Sequence, residues 1–382
     1  MILLLGLLVV ATVLVYLILF RFDRTARKEA PVEDTAFASE SIRIDSARPQ
    51  PVDEPPMPER STLENSFITD AILQAAAAIE GGANPQAVLH SLRAYLLSQD
   101  PALVVSAIRA YLQSGQDALT GLPFAVGQSG DFATLPSMRC FLMDFLAYVD
   151  ASAALEVAEE VFNARSSADE YAVCLRNAGT LMEGADGRAY VGQRALELLS
   201  DGNMAANASA GFAEAFDAVV YAGDLSAFTL LSQYVGGENG SALGKAAFFA
   251  MDRMTLDNTA EAIELLTSDA SLLADNSKTK AGLIARADLS DSAQLADVES
   301  YVLSLSSDSG EASYYFDIVP NNNFAIINGM LTDTYETSHD YVTGRLGSTY
   351  DTLGRWAVDE RFAAYSDLIE SARQRIEEIR GE

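Results

Sequence analysis

The sequence predicts an all-α protein: an α-solenoid of paired antiparallel helices, with a period of 33–38 residues, behind an N-terminal transmembrane helix. Three observations predict it. Residues 2–20 read ILLLGLLVVATVLVYLILF, without a single charge. From residue 66 onward, apolar residues recur at three- and four-residue spacing, the pattern of amphipathic helices. Helix-start signals then return at intervals of 33 to 38 residues, at Asp150, Asp186, Asp224, Asp257 and Asp291.

The first element is the apolar span. At 1.5 Å per residue it reaches about 28 Å, close to the hydrocarbon thickness of a bilayer. A cleaved signal peptide wants a basic segment before the apolar core and a small-residue cleavage site after it. Here no Lys or Arg precedes the span, and RFDRTARK follows it. The expectation is an uncleaved anchor over residues 1–20. Arg21, Arg24, Arg27 and Lys28 follow the span directly, and basic flanks stay on the cytoplasmic side. The expected topology is single-pass in the inner (plasma) membrane, N-terminus out and repeat domain cytoplasmic. A periplasmic repeat domain is the competing topology.

The second element is a basic flank and linker over residues 21–64. Six of the eleven prolines and nine acidic residues fall in residues 29–64. Proline fixes φ and removes donors, and low hydrophobicity with net charge leaves nothing to bury. This composition makes an extended spacer.

The third element, residues 65–306, is the helical repeat domain. AVLHSLRAYLLSQD (87–100) and VVSAIRAYLQSGQD (104–117) share RAYL, as two paired helices would. Beyond them, short segments such as SAALEVAEEVF and SAQLADVESYVLSL alternate with longer ones such as ADEYAVCLRNAGTLM and MAANASAGFAEAFDAVVYA. An Asp before each short segment can accept the free N–H groups of a first turn. Two helices in roughly 35 residues cannot bury their apolar faces alone, so stacked units build a shared core. In period, pairing and cap placement, residues 66–306 resemble the HEAT-like helical-repeat superfamily. That resemblance implies an extended surface for partners and no particular chemistry.

The last element, residues 307–382, breaks the rhythm. SYYFDIVPNNNFAIINGMLTD (313–333) is aromatic and carries Pro320 and three asparagines, so it reads as an irregular segment. A long capping helix is expected over 356–380. Tyr314, Tyr315, Phe316, Asn322, Asn323 and Trp356 are the candidate partner surface, because aromatic residues favour interfaces.

Composition limits function. Asp plus Glu number 54 against 25 Lys plus Arg, a formal −29, and such a surface repels nucleic acid. The two cysteines, Cys140 and Cys174, are too few for a disulfide framework and lie in apolar helical patterns. They read as buried thiols, with a single Cys140–Cys174 disulfide as the alternative in an oxidising compartment. His90 and His339 are the only histidines and neither has a metal-binding neighbour at ligand spacing. No phosphate-binding glycine loop, nucleophile elbow or zinc motif occurs. The expectation is therefore a non-enzymatic scaffold or adaptor that binds a protein partner, uses no cofactor and meets the membrane through residues 2–20. An extracytoplasmic envelope protein with a structural disulfide, and a helical-repeat enzyme, are the alternatives.

Overall fold

The computed structural model describes residues 60–236, 241–323, 329–333 and 339–381. The apolar span, the basic flank and nearly all of the linker lie outside the described residues. Among the described residues, no helix is long and apolar enough to cross a membrane.

Seventeen α-helices form among the described residues, all within one compact unit, Met57–Glu382. In order they are α1 (Arg60–Glu80), α2 (Pro85–Leu97), α3 (Pro101–Gln113), α4 (Met138–Val149), α5 (Ala151–Ala164), α6 (Ala168–Leu181), α7 (Gly184–Leu199), α8 (Gly202–Ala206) and α9 (Ala210–Ala222). Then follow α10 (Phe228–Val235), α11 (Ala242–Asp257), α12 (Thr259–Ser268), α13 (Ser277–Ile284), α14 (Ser292–Ser304), α15 (Gly310–Ile318), α16 (His339–Trp356) and α17 (Ser366–Arg380). A small antiparallel hairpin, β1 (Ala125–Val126) with β2 (Phe132–Thr134), interrupts the helices. The protein is thus all-α apart from this hairpin.

Local chemistry explains where most helices start. Asn84 and Asp100 cap α2 and α3, and proline follows each at the first helical position, where its missing N–H costs nothing. Ser137 accepts the Cys140 N–H, Asp150 accepts that of Ala153, and Asp291 accepts those of Ala293 and Gln294. Two of the five expected Asp caps fall elsewhere. Asp186 lies in the first turn of α7, whose cap position is Glu183, and Asp257 is the last residue of α11. The stretch MAANASAGFAEAF is split, because Ser209 caps α9 through the Phe212 N–H.

Packing sets the helices in a regular order. α4 packs on α6, α6 on α9, α9 on α11, α11 on α13, α13 on α15 and α15 on α17. The helices between them lie against this row: α5 on α4 and α6, α7 on α6 and α9, α12 on α11 and α13. The order is compatible with a helical-repeat fold. At the N-terminal end, α1 packs against both α2 and α3. Phe145, Phe162, Tyr171, Phe212, Phe228 and Phe316 are fully buried along the row. Each such side chain stabilises by about 1.5 to 3 kcal/mol through removal from water.

The C-terminal region differs from the expected irregular segment and single long helix. Residues 310–318 are helical, with Ser309 as the cap. The expected helix over 356–380 is instead the end of α16, a 3₁₀ turn (Glu360–Tyr365) and α17, because Asp359 caps a new turn by accepting the Arg361 N–H. The aromatics of this region hold it together. Trp356 stacks on Phe362 at 4.6 Å, and Tyr315 and Phe316 meet edge to face at 5.3 Å. Tyr365 donates to the Val302 carbonyl at 2.7 Å, tying the 3₁₀ turn to α14.

Candidate functional site

Three of the expected surface residues are core. Tyr315, Phe316 and Trp356 are at most 2% exposed. Their large apolar area is worth more inside than outside, and the Trp356 indole N–H still finds an acceptor, Glu299 Oε1, at 3.0 Å. Tyr314 is half-buried and opens onto a groove of about 540 Å³ walled by Phe248, Thr279, Arg286 and Asn323. Asn322 turns its side-chain oxygen inward to Arg345, and Asn323 stays exposed. Cys140 and Cys174 are both free and buried. Burial pushes both thiols above their usual range, so neither is primed as a nucleophile.

A different set of residues converges. Two short stretches from the region after α15 return to the helix row and are held there, mainly by their main chain. The first station holds Asn321–Asn323. Arg286, which follows α13, makes a two-pronged ion pair with Asp252 of α11, Nε to Oδ1 at 2.6 Å and Nη2 to Oδ2 at 2.8 Å. The same guanidinium donates to the Asn321 carbonyl at 3.0 Å and to the Asn323 carbonyl. Arg345 of α16 donates to the Asn321 carbonyl at 3.1 Å, and to the carbonyls of Arg286 at 2.7 Å and Ala287 at 3.1 Å, just beyond α13. The Arg286 and Ala287 carbonyls lie just past the C-terminal end of α13, where a cation is favoured. Both guanidiniums are almost fully buried. Burial, with Arg286 nearby, holds Arg345 below its usual range, and burial raises Asp252 against the pull of Arg286.

The second station holds Gly329–Asp333. Asp217 of α9 accepts the Leu331 N–H at 2.7 Å and the Thr332 hydroxyl. Glu214, three residues earlier on the same face, accepts the Met330 N–H. Arg253 of α11 donates to the Asp333 carbonyl at 3.0 Å. Two glycines make the fit close. A Cβ on Gly329 would lie 1.9 Å from Asp217 Oδ1, and one on Gly179 of α6 would lie 2.5 Å from Leu331 Cδ2. The Leu331 side chain therefore seats in a notch that exists because residue 179 has no side chain. Met330 is buried, and its carbonyl closes on Gly130 of the hairpin loop.

The electrostatics of this second station are unusual. Burial and the neighbouring Asp217 push Glu214 up to about 7, while the Met330 N–H pulls the other way. Burial also raises Asp217, opposed by the donors from Thr332 and Leu331. Among the described residues no ion pair to either carboxylate is found. The sequence offered little sign of this site. Nothing in the sequence near Glu214 and Asp217 marks them, because their partners lie more than a hundred residues away. Among the described residues no group of three or more His, Cys, Asp or Glu side chains could hold a metal ion.

No family model, no curated protein and no solved structure matches this chain. The resemblance to HEAT-like repeats accordingly rests on the period and pairing of the helices.

Proposed function

We propose that the chain is a membrane-anchored scaffold or adaptor, built as a HEAT-like α-solenoid, whose row of helices binds an extended segment of a protein partner. One observation carries this reading. At two stations along α9, α11 and α13, side chains of the row grip a non-helical stretch through its backbone N–H and C=O groups. A surface that can hold extended chain in this way has the chemistry a peptide-binding groove requires, and stacked helix pairs present such surfaces along their length. The apolar run at residues 2–20 supports the anchor, and the four basic residues after it support a cytoplasmic face for the repeat domain. The reading involves no catalytic step and no cofactor.

Crosslinking in membranes with the anchor intact, followed by identification of co-purified proteins, tests the scaffold. A reproducible partner is expected, and failure to capture one across independent preparations would overturn the reading. Topology is tested separately with a cysteine placed in the linker. It should stay unlabelled by an impermeant thiol reagent in intact cells and react after permeabilisation; labelling in intact cells would place the repeat domain outside.

A further inference from the structure

We propose that the notch between α6 and α9 is a recognition site for an extended segment of the form Gly-apolar-Leu-Thr, and that residues 329–332 are its resident copy, displaceable by the same motif on a partner. This rests on the scaffold reading and adds the chemistry of the partner.

Each position of the motif is defined by a contact. Glycine is required first, since any side chain at 329 would collide with the Asp217 carboxylate. The second residue is buried with its carbonyl against Gly130, so it is apolar. Leucine is third, because the space over Gly179 takes its branched end. The fourth residue supplies a hydroxyl to Asp217. The main-chain N–H groups of Met330 and Leu331 meet Glu214 and Asp217, and hydrogen bonds to carboxylates are stronger than neutral ones.

The arrangement is poorly suited to holding the fold together and well suited to exchange. Two carboxylates three residues apart on a helix, half-buried and without an ion pair among the described residues, weaken the structure they join. A local cost of this kind is expected where a site has a task besides folding. The first station, by contrast, pairs Arg286 with Asp252 and adds the Arg345 donors, and it keeps the neighbouring chain in place whether or not the notch is filled. A tethered copy competes at an effective concentration of roughly millimolar, so a free segment binds well only when the copy is weakened or the partner adds contacts elsewhere.

The test uses the full-length chain in detergent and a fluorescent peptide with the sequence of residues 326–335, IINGMLTDTY, read by anisotropy. Gly329→Ala weakens the resident copy and leaves the notch intact. It should raise the peptide's affinity by at least about tenfold over the unsubstituted chain. A peptide with Ala in place of its glycine, or of its leucine, should not bind. Adding Gly179→Val to Gly329→Ala fills the notch from the other side and should abolish binding. Helical circular dichroism and a cooperative melt establish that each variant folds. Should Gly329→Ala not fold, Thr332→Val weakens the copy more gently, with a smaller gain in the same direction. The proposal is overturned by a folded variant that takes up no peptide, or one that binds the glycine-to-alanine peptide equally well, or one indifferent to Gly179→Val. The scaffold reading fails separately. Crosslinking that finds no partner while the peptide still binds counts against the scaffold alone. A partner captured equally by the unsubstituted chain and by Gly179→Val counts against this site alone.

Discussion

The two stations that hold the returning chain use opposite chemistry. Beside α11 and the end of α13, the buried Arg286 and Arg345 donate to carbonyl oxygens, and Asp252 balances one of them by accepting two hydrogen bonds. At α9, two carboxylates accept N–H and O–H groups and share no ion pair among the described residues. The first pairs one of its two buried cations with a carboxylate and gives the other, Arg345, only carbonyl oxygens. The second leaves like charges side by side, and it titrates near neutral pH. One end of the same region is therefore fixed to the fold, while the other is held on conditions.

The largest effect expected from breaking this contrast is at the first station. Asp252→Ala leaves Arg286 buried without its carboxylate, and removing one partner of a buried ion pair costs on the order of 3 to 5 kcal/mol. Denaturant unfolding should show a large drop in midpoint. If Asp252→Ala lowers the midpoint no more than Thr332→Val does, the two stations are equivalent and the contrast collapses.

Next comes Glu214. Its pKa in the folded chain, about 7, is raised above the ordinary carboxylate value. The folded state then binds the extra proton, so stability from this group is full below the ordinary carboxylate range and is lost as pH rises through about 7. Melting temperature should fall between pH 5 and pH 8. Glu214→Gln keeps an acceptor for the Met330 N–H and removes the charge. It should flatten that fall and stabilise at pH 8 by roughly 2 kcal/mol, with allowance for partial exposure. An unchanged pH profile in Glu214→Gln would assign the titration to another group.

The smallest effect is at Thr332. Thr332→Val removes one hydroxyl donor to Asp217; bonds to charged groups are worth about 1.5 to 3 kcal/mol, and this half-buried one falls at the low end. Because the second station is conditional, the loss should appear as faster amide exchange at Met330 and Leu331, with little change in the global melt. A loss of the same size throughout the protein would mean that the second station is as firmly built in as the first.

Helix positions were readable wherever a short-range signal set them. Asp150, Asp224 and Asp291 each accept an N–H two or three residues ahead, and those starts fall where expected. Asp186 and Asp257 carry the same side chain in places where the chain was already helical, and nothing nearby in sequence separates the two cases. The aromatic run at 313–318 lacks a clean helical period because both faces of α15 are used, one toward α13 and one toward α17. That is also why Tyr315 and Phe316 looked like surface. An aromatic residue counts as exposed or buried only once its neighbours are placed, and here the neighbours are Trp356 and Tyr365.

By itself the sequence determined an all-helical, strongly acidic chain with an apolar run at its start, since helix period, caps and charge act within a turn or two of each residue. Only the tertiary structure decided that Glu214 and Asp217 face Met330, Leu331 and Thr332, and that Gly179 is a notch for a leucine. The physical reason is range. A cap is selected by the next three residues, whereas a contact across more than a hundred residues exists only after the whole helix row has closed the distance.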